Sequence, residues 1–161
     1  MTNKIIIDGW NVCWKIPEIA EIIPANLPLA RQKFNALTRN YFQKKSSIYK
    51  IIYDGQPGII SSKFELKGQD IQFSKNPQSA DQKILNFLKM QKKPSAWTII
   101  SSDRELTGRA KNAGVNVISS EQFISKLMKG KNREIMHPKK ENPNLSKKEI
   151  DDWVNLFNSQ K

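Results

Sequence analysis

Residues 5–7 are an unbroken run of isoleucine that ends at Asp8-Gly9. An apolar run without polar alternation suits a strand buried on both faces, as at the centre of a parallel sheet. Residues 12–27 follow, where Pro17 and Pro24 bracket Ile16, Ile19, Ile22 and Ile23, and they read as an irregular connection with a helical turn. Residues 29–45 place Leu29, Phe34, Leu37, Tyr41 and Phe42 close to helical spacing and leave Arg31, Lys33, Arg39 and Lys44 for the outer face. Residues 48–53 predict a second strand, which ends in Asp54-Gly55 and so repeats the acid-glycine punctuation of Asp8-Gly9.

The second half continues the alternation. Residues 56–68 read as a loop or hairpin excursion, a candidate substrate flap carrying Lys63 and Lys67, and residues 70–74 as a short strand. Ser79 and Gln82 have the spacing of a capping box, which puts Asp81 in the first turn of a helix with Ile84, Leu85 and Leu88 inward. Residues 97–100 predict a fourth strand. Ser102 and Glu105 match a second capping box, with Asp103 at the start of a helix reaching about Asn112. Gly114 fits a C-cap, residues 115–118 a fifth strand and residues 121–128 a closing helix. On this reading the domain spans residues 1–129, residues 130–145 form a basic linker, and residues 146–161 carry a C-terminal helix. Ser146 and Glu149 would cap that helix, and Ile150, Trp153, Val154 and Phe157 form a stripe expected to pack on the domain.

Strands that alternate with helices imply right-handed crossovers and an α/β fold: a mostly parallel sheet of about five strands with flanking helices. Asp8, Asp54 and Asp103 then lie at or just past the C-terminal ends of three strands, and Asp81 opens a helix that enters the same edge, where open α/β sheets bind ligands. Carboxylates so gathered repel unless protons or cations offset them. Hard divalent cations with oxygen ligands, Mg²⁺ or Mn²⁺, are the natural remedy, and one or two such ions can drive phosphodiester cleavage. Singly, each acid has an ordinary explanation in a turn or a helix first turn; their joint placement is what points to a site.

Composition narrows the partners. The 161 residues, 38% hydrophobic, suffice for one ordinary core with a tail. The single cysteine, Cys13, excludes an internal disulfide framework and a multi-cysteine zinc site. No apolar run is long enough to cross a bilayer and the N-terminus is unlike a signal peptide, so a cytoplasmic protein without a membrane partner is expected. A net charge of +12 favours a polyanion, and nucleic acid is the usual one for a soluble chain. A haloacid-dehalogenase type of phosphatase needs a second acid two residues after its first-strand aspartate, where Trp10 stands. A receiver domain needs paired acids there and a lysine after the fifth strand, where Ser119 and Ser120 stand.

Three segments in order also resemble a family. Asp8-Gly9-Trp10-Asn11 is similar to the DGYN opening of NYN domains, the PIN-like nucleases, with Trp10 in place of the commoner tyrosine. Ser79-Ala80-Asp81-Gln82-Lys83-Ile84 resembles the family's A-D-x-x-I segment, and Ser101-Ser102-Asp103-Arg104-Glu105-Leu106 its S-D-R-E-L segment. Order and spacing best match the YacP-like branch. The resemblance implies a Rossmann-like, PIN-like fold and a metal-dependent endoribonuclease, with RNA as partner and, for the YacP-like branch, mRNA cleaved on the ribosome. It implies that Asp8, Asp81 and Asp103 hold metal, with Asp54 as a further site carboxylate and Asn11 orienting them. Gln82 departs from the pattern, since many relatives carry a second acid there; the rival reading is therefore a catalytically weak or inactive RNA- or ribosome-binding module. Trp10 and Trp14 flank the expected crevice, where core or lid packing is the favoured alternative to stacking a base; Trp10, Lys63, Lys67 and Arg104 are the candidate nucleic-acid contacts, with an ordinary exposed first-turn arginine as the alternative for Arg104. His137, beside Pro138 and two lysines, is assigned no catalytic role.

Overall fold

The structure is a computed structural model that describes residues 2–55, 69–75 and 77–136. Its centre is strand β1 (Asn3–Asp8), which pairs in parallel with β2 (Ser47–Tyr53) on one side and β4 (Trp97–Ile100) on the other. Strand β3 (Gln69–Phe73) joins β2 and β5 (Asn116–Ile118) joins β4, giving one five-stranded, all-parallel sheet in the order β3-β2-β1-β4-β5. The α/β class and the parallel, Rossmann-like sheet expected from the sequence are what the chain adopts.

Successive side chains of a strand face opposite sides of the sheet, so the Ile5-Ile6-Ile7 run must be covered twice. Ile7, Ile51 and Ile100 face one layer, built from α1 (Gly9–Cys13), α2 (Pro17–Ala20), α3 (Leu27–Phe42) and α6 (Ser120–Met136). Ile6, Ile52 and Ile99 face the other, formed by α4 (Ala80–Lys89) and α5 (Arg104–Asn112). Ile6, Ile7, Ile51 and Ile99 have no exposed surface, and complete burial of each such side chain stabilises the fold by about 1.5–3 kcal/mol. Among the described residues no helix is long and apolar enough to cross a membrane.

Local signals explain the element ends. Asn26 caps α3 by accepting from the Leu29 N–H, and Ser79 with Gln82 completes the expected capping box of α4. Gly114, just past the Ala113 C-cap of α5, has φ +81°, a left-handed conformation that favours glycine.

Several expectations need correction. The connection after β1 holds two short helices, α1 and α2, because Gly9 begins a helical turn at the strand's end and Pro17 suits a helix first position. Ser102 does not cap α5; Asp103 does, accepting from the Leu106 N–H, and the Ser102 hydroxyl turns instead toward Glu121. Arg31, expected on the outer face of α3, is only 3% exposed, since it shares the helical face of Phe34 and Thr38, which are also buried. Helix α6 runs through Met136, so residues 130–136 are helical where a linker was expected. The remainder of that linker, His137, the C-terminal helix and its stripe, and the flap with Lys63 and Lys67 lie outside the described residues.

Candidate functional site

The four acids read from the sequence all stand at the C-terminal edge of the sheet. Asp8 is the last residue of β1, Asp54 follows β2, Asp81 sits in the first turn of α4, and Asp103 caps α5 just beyond β4. Parallel strands deliver their C-terminal residues to one edge, which is why segments far apart in sequence meet there.

Asp8 is the buried member, 7% exposed. The Ser101 hydroxyl donates to its Oδ2 at 2.9 Å and accepts from the Asp103 backbone N–H at 3.1 Å, so one serine ties both acids together. Burial is the main cause that pushes the Asp8 carboxyl up to about 7; Asp81 and Asp103 add repulsion, while the Ser101 bond and the Asn11 backbone amide act against it. The Asp81 carboxyl is raised as well, by burial first and then by Asp103, Asp54 and Glu105. The acids thus sense one another, although among the described residues no three His, Cys, Asp or Glu side chains are gathered closely enough to hold a metal ion. Asp54 is exposed, and its Oδ1 accepts from Ser74 Oγ at 2.7 Å.

Asn11 is fixed by its oxygen. Its Oδ1 accepts from the Ser102 N–H at 2.9 Å and from Ser120 Oγ at 2.7 Å, bridging α1, the β4–α5 turn and the start of α6. With the oxygen so used, the amide NH₂ is the group left to meet a ligand. Behind it, Ser102 Oγ accepts from the Ser120 N–H at 2.9 Å and donates to Glu121, which pairs with Lys15 at 3.0 Å. Those partners, the Ser102 hydroxyl foremost, hold the Glu121 carboxyl down at about 2.

Gly9 is required by packing. A Cβ built there would lie 2.5 Å from two Tyr53 ring atoms and 3.1 Å from the Ile52 carbonyl oxygen. Trp10, expected to contact nucleic acid, has its ring against Tyr53 with centroids 4.9 Å apart and its Nε1–H donating to the Asp54 carbonyl at 2.9 Å. Trp14 at the end of α1 is 55% exposed and is the freer of the two rings. Arg104 is exposed at the first residue of α5. The Gln82 side-chain oxygen accepts from the Ser79 N–H at 3.1 Å, so the residue that departs from the family pattern is engaged in capping α4.

Sequence reading missed Ser101, Ser74 and Ser120, whose hydroxyls hold Asp8, Asp54 and Asn11, and it read Glu105 only as a capping partner. Ser101 had a usable signal: it follows β4 directly at the edge where Asp8 ends β1. Ser120 had none, because its contact with Asn11 spans most of the chain.

The family model for the YacP-like NYN domain matches residues 5–158. Two solved structures are similar in fold. The crystal structure of Rae1 (YacP) from Bacillus subtilis aligns with a TM-score of 0.75 at 14% identity, over 98% of this chain and 92% of that one. A mutant of the same protein aligns with a TM-score of 0.70 at 13% identity, over 84% and 80%. No curated protein matches the chain by sequence.

Proposed function

The chain belongs to the YacP-like NYN domain family, a family of nuclease type, and from that membership we propose that it is a metal-dependent endoribonuclease. The observation that carries the reading is Asp8: a carboxyl buried at the sheet edge and raised to about 7 beside Asp81 and Asp103, in a chain of net charge +12. A protein does not hold a carboxylate in such surroundings for stability, since burial and like charge both disfavour it.

The donors fit a hard divalent cation by their chemistry, being oxygen ligands whose mutual repulsion a cation would relieve. Asp8, Asp81 and Asp103 would hold Mg²⁺ or Mn²⁺, with Asp54 as a further carboxylate of the site. When bound, such an ion supplies Lewis-acid stabilisation of the charge that develops on the phosphodiester. The chain's own groups do the rest. Ser101 orients the Asp8 carboxylate and keeps it more acidic than burial alone would allow, and the Asn11 NH₂ donates toward a phosphoryl oxygen. Exposed Arg104 and the lysine-rich surface hold the RNA backbone by charge. The finer reading, cleavage of mRNA on the ribosome in the cytoplasm, rests on the resemblance to the YacP-like branch.

A second reading, a binding module with little or no catalysis, is favoured by the lack of a ready-made three-acid cluster among the described residues. Incubating the protein with single-stranded RNA separates the two. Cleavage with Mg²⁺ or Mn²⁺ that stops with EDTA and in folded Asp8→Asn and Asp103→Asn proteins supports the nuclease. Tight RNA binding with no cleavage under either metal sinks it in favour of the module, and unchanged cleavage in both variants removes these acids from the site.

A further inference from the structure

Arg31 is a buried cation without a described counter-charge. It is 3% exposed, and its Nε and Nη2 atoms are sealed from solvent with no hydrogen-bond partner among the described residues. The guanidinium carbon lies 5.1 Å from the centre of the Phe73 ring and 5.9 Å from that of Trp10. Ring faces attract a cation, but they do not satisfy N–H donors, and an unpaired buried donor destabilises the fold. Tyr53 gives its hydroxyl hydrogen to Asn35 Oδ1 at 2.6 Å.

Its surroundings place it beside the acidic edge. Phe73 ends β3, and Trp10 begins α1 directly after Asp8-Gly9 and is bonded to the Asp54 carbonyl. Arg31 therefore lies at the side of the cleft bounded by β2 and β3, on the α3 layer, away from the Asp8–Ser101–Asp103 side. A guanidinium offers a planar fork of donors that matches the oxygens of a phosphate. Trp10 and Phe73, the two rings against the guanidinium, are both partly exposed.

We propose that Arg31, with Trp10 and Phe73 against it, forms a phosphate subsite that takes a backbone phosphate of single-stranded RNA flanking the bond held at the acidic cleft. The inference rests on the RNA reading above but not on catalysis. Net charge makes a polyanion the natural source of that phosphate, and the subsite gives an otherwise unfavourable buried cation its partner.

The test is binding without turnover. A short fluorescent single-stranded RNA is titrated in EDTA, over a range of NaCl, against the full chain and its Arg31→Met and Arg31→Lys variants, with melting temperatures measured in parallel. Loss of one phosphate contact lowers the slope of log affinity against log salt by about 0.7 for a single strand. Arg31→Met is expected to show that smaller slope and about tenfold weaker binding, while melting at the wild-type temperature or above, because removing an unpaired buried charge relieves a cost. Arg31→Lys, which keeps the charge but not the fork, falls between. Wild-type affinity and slope in Arg31→Met overturn the subsite. So does an Arg31→Met protein that melts well below wild type while the folded Arg31→Lys binds as wild type, which makes Arg31 a strut for the rings. An Arg31-dependent affinity for polyglutamate equal to that for RNA assigns the fork to a carboxylate and also overturns it. If no RNA is ever cut yet the slope falls as stated, the nuclease reading fails and the subsite stands.

Discussion

Replacing Asp8 with asparagine should make the metal-free protein more stable at neutral pH, not less. The Asp8 carboxyl is raised from 3.8 to about 7, mainly by burial, and a rise of that size is worth about 4 kcal/mol. The sign follows from proton linkage. Below about pH 4 the group is protonated in both folded and unfolded chains and contributes no penalty. As pH climbs from there toward 7, the unfolded chain releases the proton while the folded chain keeps it or holds a disfavoured charge, so stability falls across that window and the loss is complete above it. Asparagine cannot ionise, and its oxygen still accepts the hydrogen bond that Ser101 gives to Oδ2. The variant should therefore exceed wild type by about 2–4 kcal/mol at pH 8 in EDTA, a shift of roughly 5–15 °C in melting temperature for a chain of this size, with the gap closing near pH 4. Urea melts of both proteins from pH 4 to 8 measure it directly, and added Mg²⁺ should raise the wild type toward the variant. Parallel pH profiles, or a variant less stable at every pH, would refute the claim that Asp8 is a carboxylate held against its own preference.

Two further outcomes separate packing from chemistry. Gly9→Ala brings a Cβ to 2.5 Å from the Tyr53 ring, and such overpacking should lower stability by about 1–3 kcal/mol in urea unfolding, with a matching loss of activity from the displaced Asp8 turn. Asp103→Asn should keep the cap on α5, which Asp103 now makes with the Leu106 N–H at 2.8 Å, and so melt as wild type while losing cleavage. Asp103→Ala should lose cleavage and about 1 kcal/mol of stability together; equal stability in the two variants would remove the cap from the account.

Much of this was legible in residues 1–129 because buried parallel strands carry a strong local signature. The triple isoleucine marked the central strand, Ser79 with Gln82 marked the start of α4, and the glycine at Gly114 marked the end of α5. Asp8, Asp54, Asp81 and Asp103 could be placed at one edge from topology alone, because each follows a strand or opens a helix at that edge. What could not be read were contacts fixed by the third dimension. Asp103 rather than Ser102 caps α5, and the Ser102 hydroxyl bonds instead to Glu121 on α6, a tertiary contact that spacing does not reveal. The tilted contact of Trp10 with Tyr53, brought alongside by the β1–β2 pairing, could likewise not be read from the sequence. Arg31 carries a charge that favours solvent, yet it shares a helical face with Phe34 and Thr38 and is buried with them.

The two departures from ordinary protein chemistry at this edge are opposite in sign and sit on different sides of the same strand ends. Asp8 is an acid raised by burial and by its acidic neighbours, tied through Ser101 to Asp103 on the β4 side. Arg31 is a base whose pKa is lowered, mainly by burial, and it lies under Trp10 and Phe73 on the β3 side. Direct pairing of the two would remove both costs, yet Arg31 Nε and Nη2 have no hydrogen-bond partner among the described residues and Asp8 Oδ2 takes a serine. A fold selected only for stability would close that gap or replace both groups with apolar ones. Under the proposed function, the acidic side would take the cation and the Arg31 side, beyond Trp10, the phosphate.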